Sequence, residues 1–564
     1  MLSFAQQRLW FLDRLRPGRP DHNVPTAIRL RGRLDQGALV LALTEVVRRH
    51  EVLRGRIVVV DDSPYQATAP VESFTPTVTD LTDLSAAHAH EQVRELVARD
   101  AQAPFDLGSA PMLRARLIRV ADEDHVLSLV IHHIAVDGWS LSVLWREFST
   151  VYRAAVSGRE ADLAELSLQY RDFARWQRST HTGSAPQGQL EQWRRQFAGR
   201  IPSAFPTDRP RPALWSGRGD QVDIDVPGEL SDRIRALGQA HDVTPFITLL
   251  AAFQVLLAHH SGVPDVPVGT PISGRTRIEV EPLVGFFVNT LVLRADLCGD
   301  PGFGEVLDRA RRCAADAYAH QDVPFERLVE EVGPERDLGR HPLFTVMFQL
   351  DEAPALPSGL PGLTVSAHPV PHNGVKFDVE VSLTDHGDHF SGVLRYATDL
   401  FDHHTMERIA REYRSLLDRL VSDPERPISA WGPRLGPEVG EVVPPARPDT
   451  VPTATALPAT APCRRDGSPT ETELLVLDVW AGVLGVTPDS VHADFFAWGG
   501  HSLLVSKVMS RLSRALGLEL PLALLFHHPT VTELAHAIEA ELTRDLVSTG
   551  SGPQLSPAGE GLRR

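Results

Sequence analysis

Cysteine and lysine are scarce in this chain. Only Cys298, Cys313 and Cys463 occur in 564 residues, odd in number and without metal-ligand spacing, so neither a disulfide framework nor a zinc site is indicated. Lysine is confined to Lys376 and Lys507, the rest of the 56 basic residues being arginine, and with abundant alanine, proline and glycine this is the composition of a high-GC genome. Cations are also outnumbered: 73 acidic residues give a formal charge of −17, which argues against nucleic acid as a partner, because phosphate neutralisation needs clustered positive charge. No apolar run is long enough to span a membrane, and Met1-Leu2-Ser3 does not lead through a basic segment into an apolar core. A cytoplasmic location is therefore expected. The length allows three or four compact units at about 100 to 200 residues each.

What the chain does contain is the stretch Val130-Ile131-His132-His133-Ile134-Ala135-Val136-Asp137-Gly138-Trp139-Ser140. The β-rich run 125–131 follows the polar turn Ala121-Asp122-Glu123-Asp124, with 113–120 as its hairpin partner, so the His pair sits where a strand ends. Beyond Gly138, Ser140 is placed to cap a helix carrying Leu141, Leu144, Trp145 and Phe148 at helical spacing. Strand, short loop and helix present side chains to a cleft. A His pair is more often packed or solvated than catalytic, and three others occur at His259-His260, His403-His404 and His527-His528; none is followed by the spaced Asp-Gly.

A second signal is Asp494-Phe495-Phe496-Ala497-Trp498-Gly499-Gly500-His501-Ser502-Leu503. Ser502 follows a glycine pair at the start of a helix predicted over 503–516. A helix over 471–484, with Leu474, Leu477, Trp480 and Leu484 near one stripe, precedes it, and Thr530 with Glu533 makes a capping box for another. Taken alone, Ser502 reads as an N-cap. Its place in a small helical bundle raises the functional reading.

Together the two signals resemble a condensation domain of a nonribosomal peptide synthetase followed by a peptidyl carrier domain. Further family signatures stand in order: Ser3-Phe4-Ala5-Gln6-Gln7-Arg8-Leu9-Trp10, Arg49-His50-Glu51-Val52-Leu53-Arg54, Tyr170-Arg171-Asp172-Phe173-Ala174-Arg175-Trp176, Val284-Gly285-Phe286-Phe287-Val288-Asn289-Thr290, His320-Gln321-Asp322-Val323-Pro324-Phe325-Glu326 and Arg336-Asp337-Leu338-Gly339-Arg340-His341-Pro342-Leu343. The resemblance implies an α/β fold of two chloramphenicol-acetyltransferase-like lobes, at 1–180 and 181–433, plus an all-α four-helix carrier at 468–545. It also implies 4'-phosphopantetheine on Ser502, attached by a separate phosphopantetheinyl transferase.

Residues 434–467, rich in Pro, Ala, Thr and Val without periodicity, read as a linker, and 546–564 as a disordered tail. A flexible coil of about 34 residues reaches about 30 Å, enough for a carrier to visit an adjoining site. The adenylation domain that family modules place between condensation and carrier domains is missing from this position. Loading of Ser502 by a separate adenylation enzyme is therefore expected, as is an upstream carrier that brings the donor.

Thioester aminolysis needs a neutral amine, a group to take its proton, and stabilisation of charge on the carbonyl oxygen. The resemblance places His133 as that proton acceptor, or as the group that holds the amine and stabilises the zwitterion; the sequence leaves both open. His132 is expected to orient the loop, and Gly138 to let the backbone approach the thioester and offer its N–H to the oxyanion. Asp137 invites a triad reading. In related acyltransferases, however, this aspartate turns away to an arginine, for which Arg275 is the candidate. Asn289 is expected to help floor the cleft. No metal is expected.

Heterocyclisation domains carry aspartates in place of the His pair, and epimerisation domains follow their carrier, so both are disfavoured. The signatures look more like condensation with an L-configured donor. A soluble amine or alcohol acceptor, and a noncatalytic platform recruiting tailoring enzymes, stay as alternatives. Between residues 468 and 545 ten acidic residues stand against four basic ones, which suits partner faces bearing arginines.

Overall fold

The computed structural model describes residues 1–71, 73–180, 187–197, 205–212, 215–332, 341, 343–353, 356–370, 374–432, 469–496, 498 and 502–549. The linker at 434–467, most of the 336–343 signature and Gly499-Gly500-His501 lie outside them. Two compact units make up the chain. One comprises Met1–Leu9, Gly18–Val58 and Tyr65–Val443; the other comprises Trp10–Pro17, Val59–Pro64 and Pro444–Arg564.

The larger unit is built on two sheets. In the first, of five strands, Asp124–His132 is central, paired antiparallel with Asn23–Gly32 on one side and Leu113–Ala121 on the other. Its apolar run explains this place: Val126, Leu127, Leu129, Val130 and Ile131 are all buried, as a strand covered on both faces requires. Thr77–Asp80 closes one edge, parallel to Leu113–Ala121. The other edge is closed by Leu363–Ala367, antiparallel to Asn23–Gly32. A split of the sequence at residue 180 assigns this late strand to the second lobe, whereas it hydrogen-bonds to the first. It covers an edge that would otherwise offer unpaired backbone groups.

The second sheet runs Gly219–Val226, Phe390–Ala397, Val379–Asp385, Val346–Glu352, Asp265–Ile272 and Asn289–Asp296 in spatial order. Against it lies the helix Pro245–Ser261, apolar nearly all round and buried accordingly. Thr244 accepts from Ile247 N, Pro245 occupies the first turn, and Gly262 ends the helix at φ 72°. Two strand-to-helix units recur in the domain. Asn23–Gly32 leads into Gln36–Arg49, and Gly219–Val226 into Gly228–Ala240. No single helix among the described residues is long and apolar enough to cross a membrane.

The carrier segment contains four helices among its described residues: Glu471–Leu484, Ser502–Leu516, Ala523–His527 and Val531–Thr549. Val476, Trp480, Phe495, Val508, Leu512 and Leu534 are buried in its core. Thr470 and Glu473 form a capping box, and Thr530 and Glu533 bond reciprocally in the same way. Two expectations need correction. The inner stripe of the first helix passes through Val476, Val479 and Trp480, while Leu474 is exposed. The last helix continues to Thr549, into the segment read as a disordered tail, because no proline or glycine interrupts it before Gly550.

Candidate active site

The strand Asp124–His132 delivers the His pair, a single 3-10 turn over His133–Ala135 follows, and the helix Gly138–Val156 begins directly after Asp137. Asp137, not Ser140, is the N-cap: its Oδ1 accepts from Ser140 N at 2.8 Å. Gly138 is the first helical residue, so its N–H has no intrahelical partner and lies at the positive end of the helix dipole. A Cβ on Gly138 would meet nothing within 4 Å. The backbone there is open to an approaching substrate.

His132 is buried, and its Nδ1 accepts the N–H of Ile134 at 3.1 Å. His133 donates its backbone N–H to His22 O at 2.8 Å, and its Nδ1 lies 2.7 Å from Val136 O. A carbonyl accepts only, so Nδ1 carries the proton and Nε2 keeps its lone pair. Burial, and then the charge of Lys376, push both imidazoles down to a pKa of about 3. His133 is neutral at ordinary pH, and its Nε2 lone pair is available as a hydrogen-bond acceptor.

Asp137 turns away from His133. Its Oδ1 lies 2.6 Å from Ser140 Oγ and 3.2 Å from the Arg275 guanidinium, and its Oδ2 accepts from Phe287 N at 3.0 Å. Arg275 also donates to the carbonyls of Val280 and Leu283 and lies over the Phe287 ring at 3.9 Å. The carboxylate therefore ties the His loop to segment 283–287. Ser140 Oγ adds to the tie by accepting from Gly285 N at 3.0 Å.

Residues 1–432 match the family model described as Condensation domain, and residues 475–538 match that of the Phosphopantetheine attachment site. The chain belongs to the condensation-domain family of nonribosomal peptide synthetases. Its condensation domain is 43% identical over 433 residues to one of the proteins of the linear gramicidin synthase of Brevibacillus parabrevis, covering 76% of this chain and 8% of that protein. It is 39% identical over 437 residues to phosphinothricin tripeptide synthetase PhsC of Streptomyces viridochromogenes, covering 76% of this chain and 40% of that one. The chain thus spans less than half the length of these relatives. Among solved structures, the X-domain from teicoplanin biosynthesis is 30% identical, with a TM-score of 0.69 over 76% of this chain and 96% of that one. The SgcC5 protein from Streptomyces globisporus is also 30% identical, with a TM-score of 0.64 over 76% of this chain and 99% of the other.

Within the condensation domain, Asn289 is fully used by its own lobe. Its Nδ2 donates to Gln321 O and Val323 O at 2.8 and 2.7 Å, and its Oδ1 accepts from Phe325 N at 2.9 Å. It pins the 321–325 turn, and no hydrogen bond joins it to the His loop. Four residues not singled out as site residues belong to the site's frame: His50, Tyr170, Phe286 and His22. The first three stand inside quoted signatures, where their spacing could have drawn attention. His22 had no such signal.

The carrier takes 4'-phosphopantetheine on a serine. Ser502, the serine expected to carry it, begins the helix Ser502–Leu516. The prosthetic arm supplies a terminal thiol on which an acyl group is held as a thioester.

Proposed function

We propose that this chain forms an amide bond between a donor acyl or peptidyl thioester, brought by another carrier, and an aminoacyl group on the arm of Ser502. A separate adenylation enzyme loads that arm, and a phosphopantetheinyl transferase installs it. The observation that carries this reading is the His133 ring, its Nδ1–H committed to Val136 O and its Nε2 free. The amine nitrogen attacks the thioester carbon, and His133 Nε2 takes its proton as the carbon–nitrogen bond forms. The Gly138 N–H is placed for the charge on the carbonyl oxygen. When the carbon–sulfur bond breaks, the electron pair goes to sulfur, which takes the proton from His133.

The test is to convert the protein to its holo form, load Ser502 with candidate amino acids and add an acylated donor carrier. Gain of the donor mass on the Ser502 peptide, lost in His133→Ala, supports the reading. A second reading draws on a solved neighbour, 31% identical with a TM-score of 0.67, which is a complex of the X-domain and OxyB from teicoplanin biosynthesis. Loading without donor transfer across a donor panel would favour such a recruitment role, or a soluble amine or alcohol acceptor.

A further inference from the structure

One hydrogen bond does not orient an imidazole. The Nδ1 contact with Val136 O fixes one atom of the His133 ring, while the torsion that swings the ring is broad, as for any aromatic side chain on a tetrahedral carbon. The other constraint is a ring against a ring. Phe286 packs on His133 with centroids 4.6 Å apart and planes at 56°.

Phe286 is itself gripped through its backbone neighbours. Across residues 284–287, each residue has a main-chain group bonded to a side chain from the first half of the domain. Val284 N donates to His50 Nδ1 at 3.3 Å, and Gly285 N to Ser140 Oγ at 3.0 Å. Phe286 O accepts from Tyr170 Oη at 2.6 Å, and Phe287 N donates to Asp137 Oδ2 at 3.0 Å. The gripping side chains are buried and fixed in turn. His50 Nε2 meets Glu147 at 3.0 Å, and Tyr170 Oη lies 2.8 Å from Ser3 Oγ. A backbone held at four successive residues fixes the point and direction from which the Phe286 side chain projects toward His133.

We infer that Phe286 is the positioning residue for the His133 imidazole, and that the grip of His50, Ser140, Tyr170 and Asp137 on segment 284–287 holds its ring in place. The inference rests on the reading of His133 as the group that takes the amine proton. It gives several of the separated signatures one purpose: they converge on four successive residues behind one aromatic ring.

Two measurements on the full-length holo protein test it. The first, independent of turnover, is the rate at which diethyl pyrocarbonate carbethoxylates His133, read by peptide mass spectrometry alongside the melting temperature. Phe286→Ala should raise that rate several-fold, Phe286→Leu should restore most of the protection, and Tyr170→Phe should move it in the same direction by less. The second is condensation kinetics. Phe286→Ala should lower kcat by about 10- to 100-fold with the KM for the donor carrier unchanged, the penalty of a misplaced group. Adding Tyr170→Phe to Phe286→Ala should cost no more than Phe286→Ala alone. Unchanged carbethoxylation in a folded Phe286→Ala protein would overturn the inference, as would a rise in KM at constant kcat. If carbethoxylation rises as stated but the unaltered protein condenses nothing, positioning stands and the proposed reaction falls.

Discussion

The Asp137 carboxylate lies 3.2 Å from the Arg275 guanidinium, with both side chains only 1% exposed, and makes no hydrogen bond to His133. The acid of the motif is thus a structural tie. It caps a helix, bonds Phe287 N and neutralises a buried arginine, and His133 takes its orientation from Val136 O and Phe286 instead. Removing either partner strands the other charge inside the protein. Asp137→Ala and Arg275→Ala should each lower stability by about 3 to 5 kcal/mol, and the double variant should lose much less than their sum. Urea titration of the three proteins checks this; additive losses would show that the pair does not act as a unit.

The two histidines should separate by phenotype. His133→Ala removes the free Nε2 and should lower kcat by about 10²- to 10⁴-fold with little change in melting temperature. His132→Ala leaves the buried Ile134 N–H without its acceptor and should cost about 1 to 3 kcal/mol of stability. Turnover and melting curves measured on the same preparations distinguish the roles.

The pH dependence follows from the direction of the shifts. Burial, with the Lys376 charge second, holds His133 at a pKa of about 3, below its ordinary value of 6.5. The basic form is therefore present throughout pH 5 to 8, and the rate there should track deprotonation of the attacking α-amino group, whose usual pKa is about 7.7 to 8.0. A plot of log kcat/KM against pH should rise with unit slope up to that value, with no break near 6.5. For stability the sign is the reverse of a salt-bridged histidine. The unfolded chain takes up protons first, so stability contributed by neutral His132 and His133 is present above pH 6.5 and declines as pH falls towards 3. Acid titration of the melting temperature, with His132→Ala and His133→Ala as references, measures that loss.

Local signals are readable in the sequence, and long-range ones are not. The hairpin of Leu113–Ala121 with Asp124–His132, and the strand-to-helix passage through Gly32, come from runs and turns that the chain displays within a few residues. The cap of the following helix is harder to place, because Asp137 and Ser140 are both good caps, and only geometry shows which oxygen accepts. In Glu471–Leu484 apolar residues surround the helix, so periodicity alone leaves the buried stripe undetermined and puts Leu474 on the wrong side. Leu363–Ala367 carries no local mark of its partner more than 300 residues earlier. The bonds to segment 284–287 are of this second kind. His50, Ser140 and Tyr170 stand far apart in sequence, and only the fold brings them to main-chain groups of consecutive residues.

Gly285 is where that convergence is most exposed to a single methyl group. Its backbone conformation does not demand glycine, but a Cβ there would run into the Tyr170 ring and come within 2.8 Å of Phe287. The Tyr170 ring, buried and bonded to Phe286 O, cannot retreat without giving up that bond. Gly285→Ala should therefore cost about 1 to 3 kcal/mol, the usual penalty of overpacking, and lower kcat beyond what the stability loss explains. Gly138→Ala is the control for stability alone, since space at Gly138 is open and the fold should accept the methyl group. If Gly285→Ala keeps both its melting temperature and its kcat, the segment yields more readily than its bonds imply. Loss of stability with kcat intact would separate the packing of Tyr170 from the placement of Phe286.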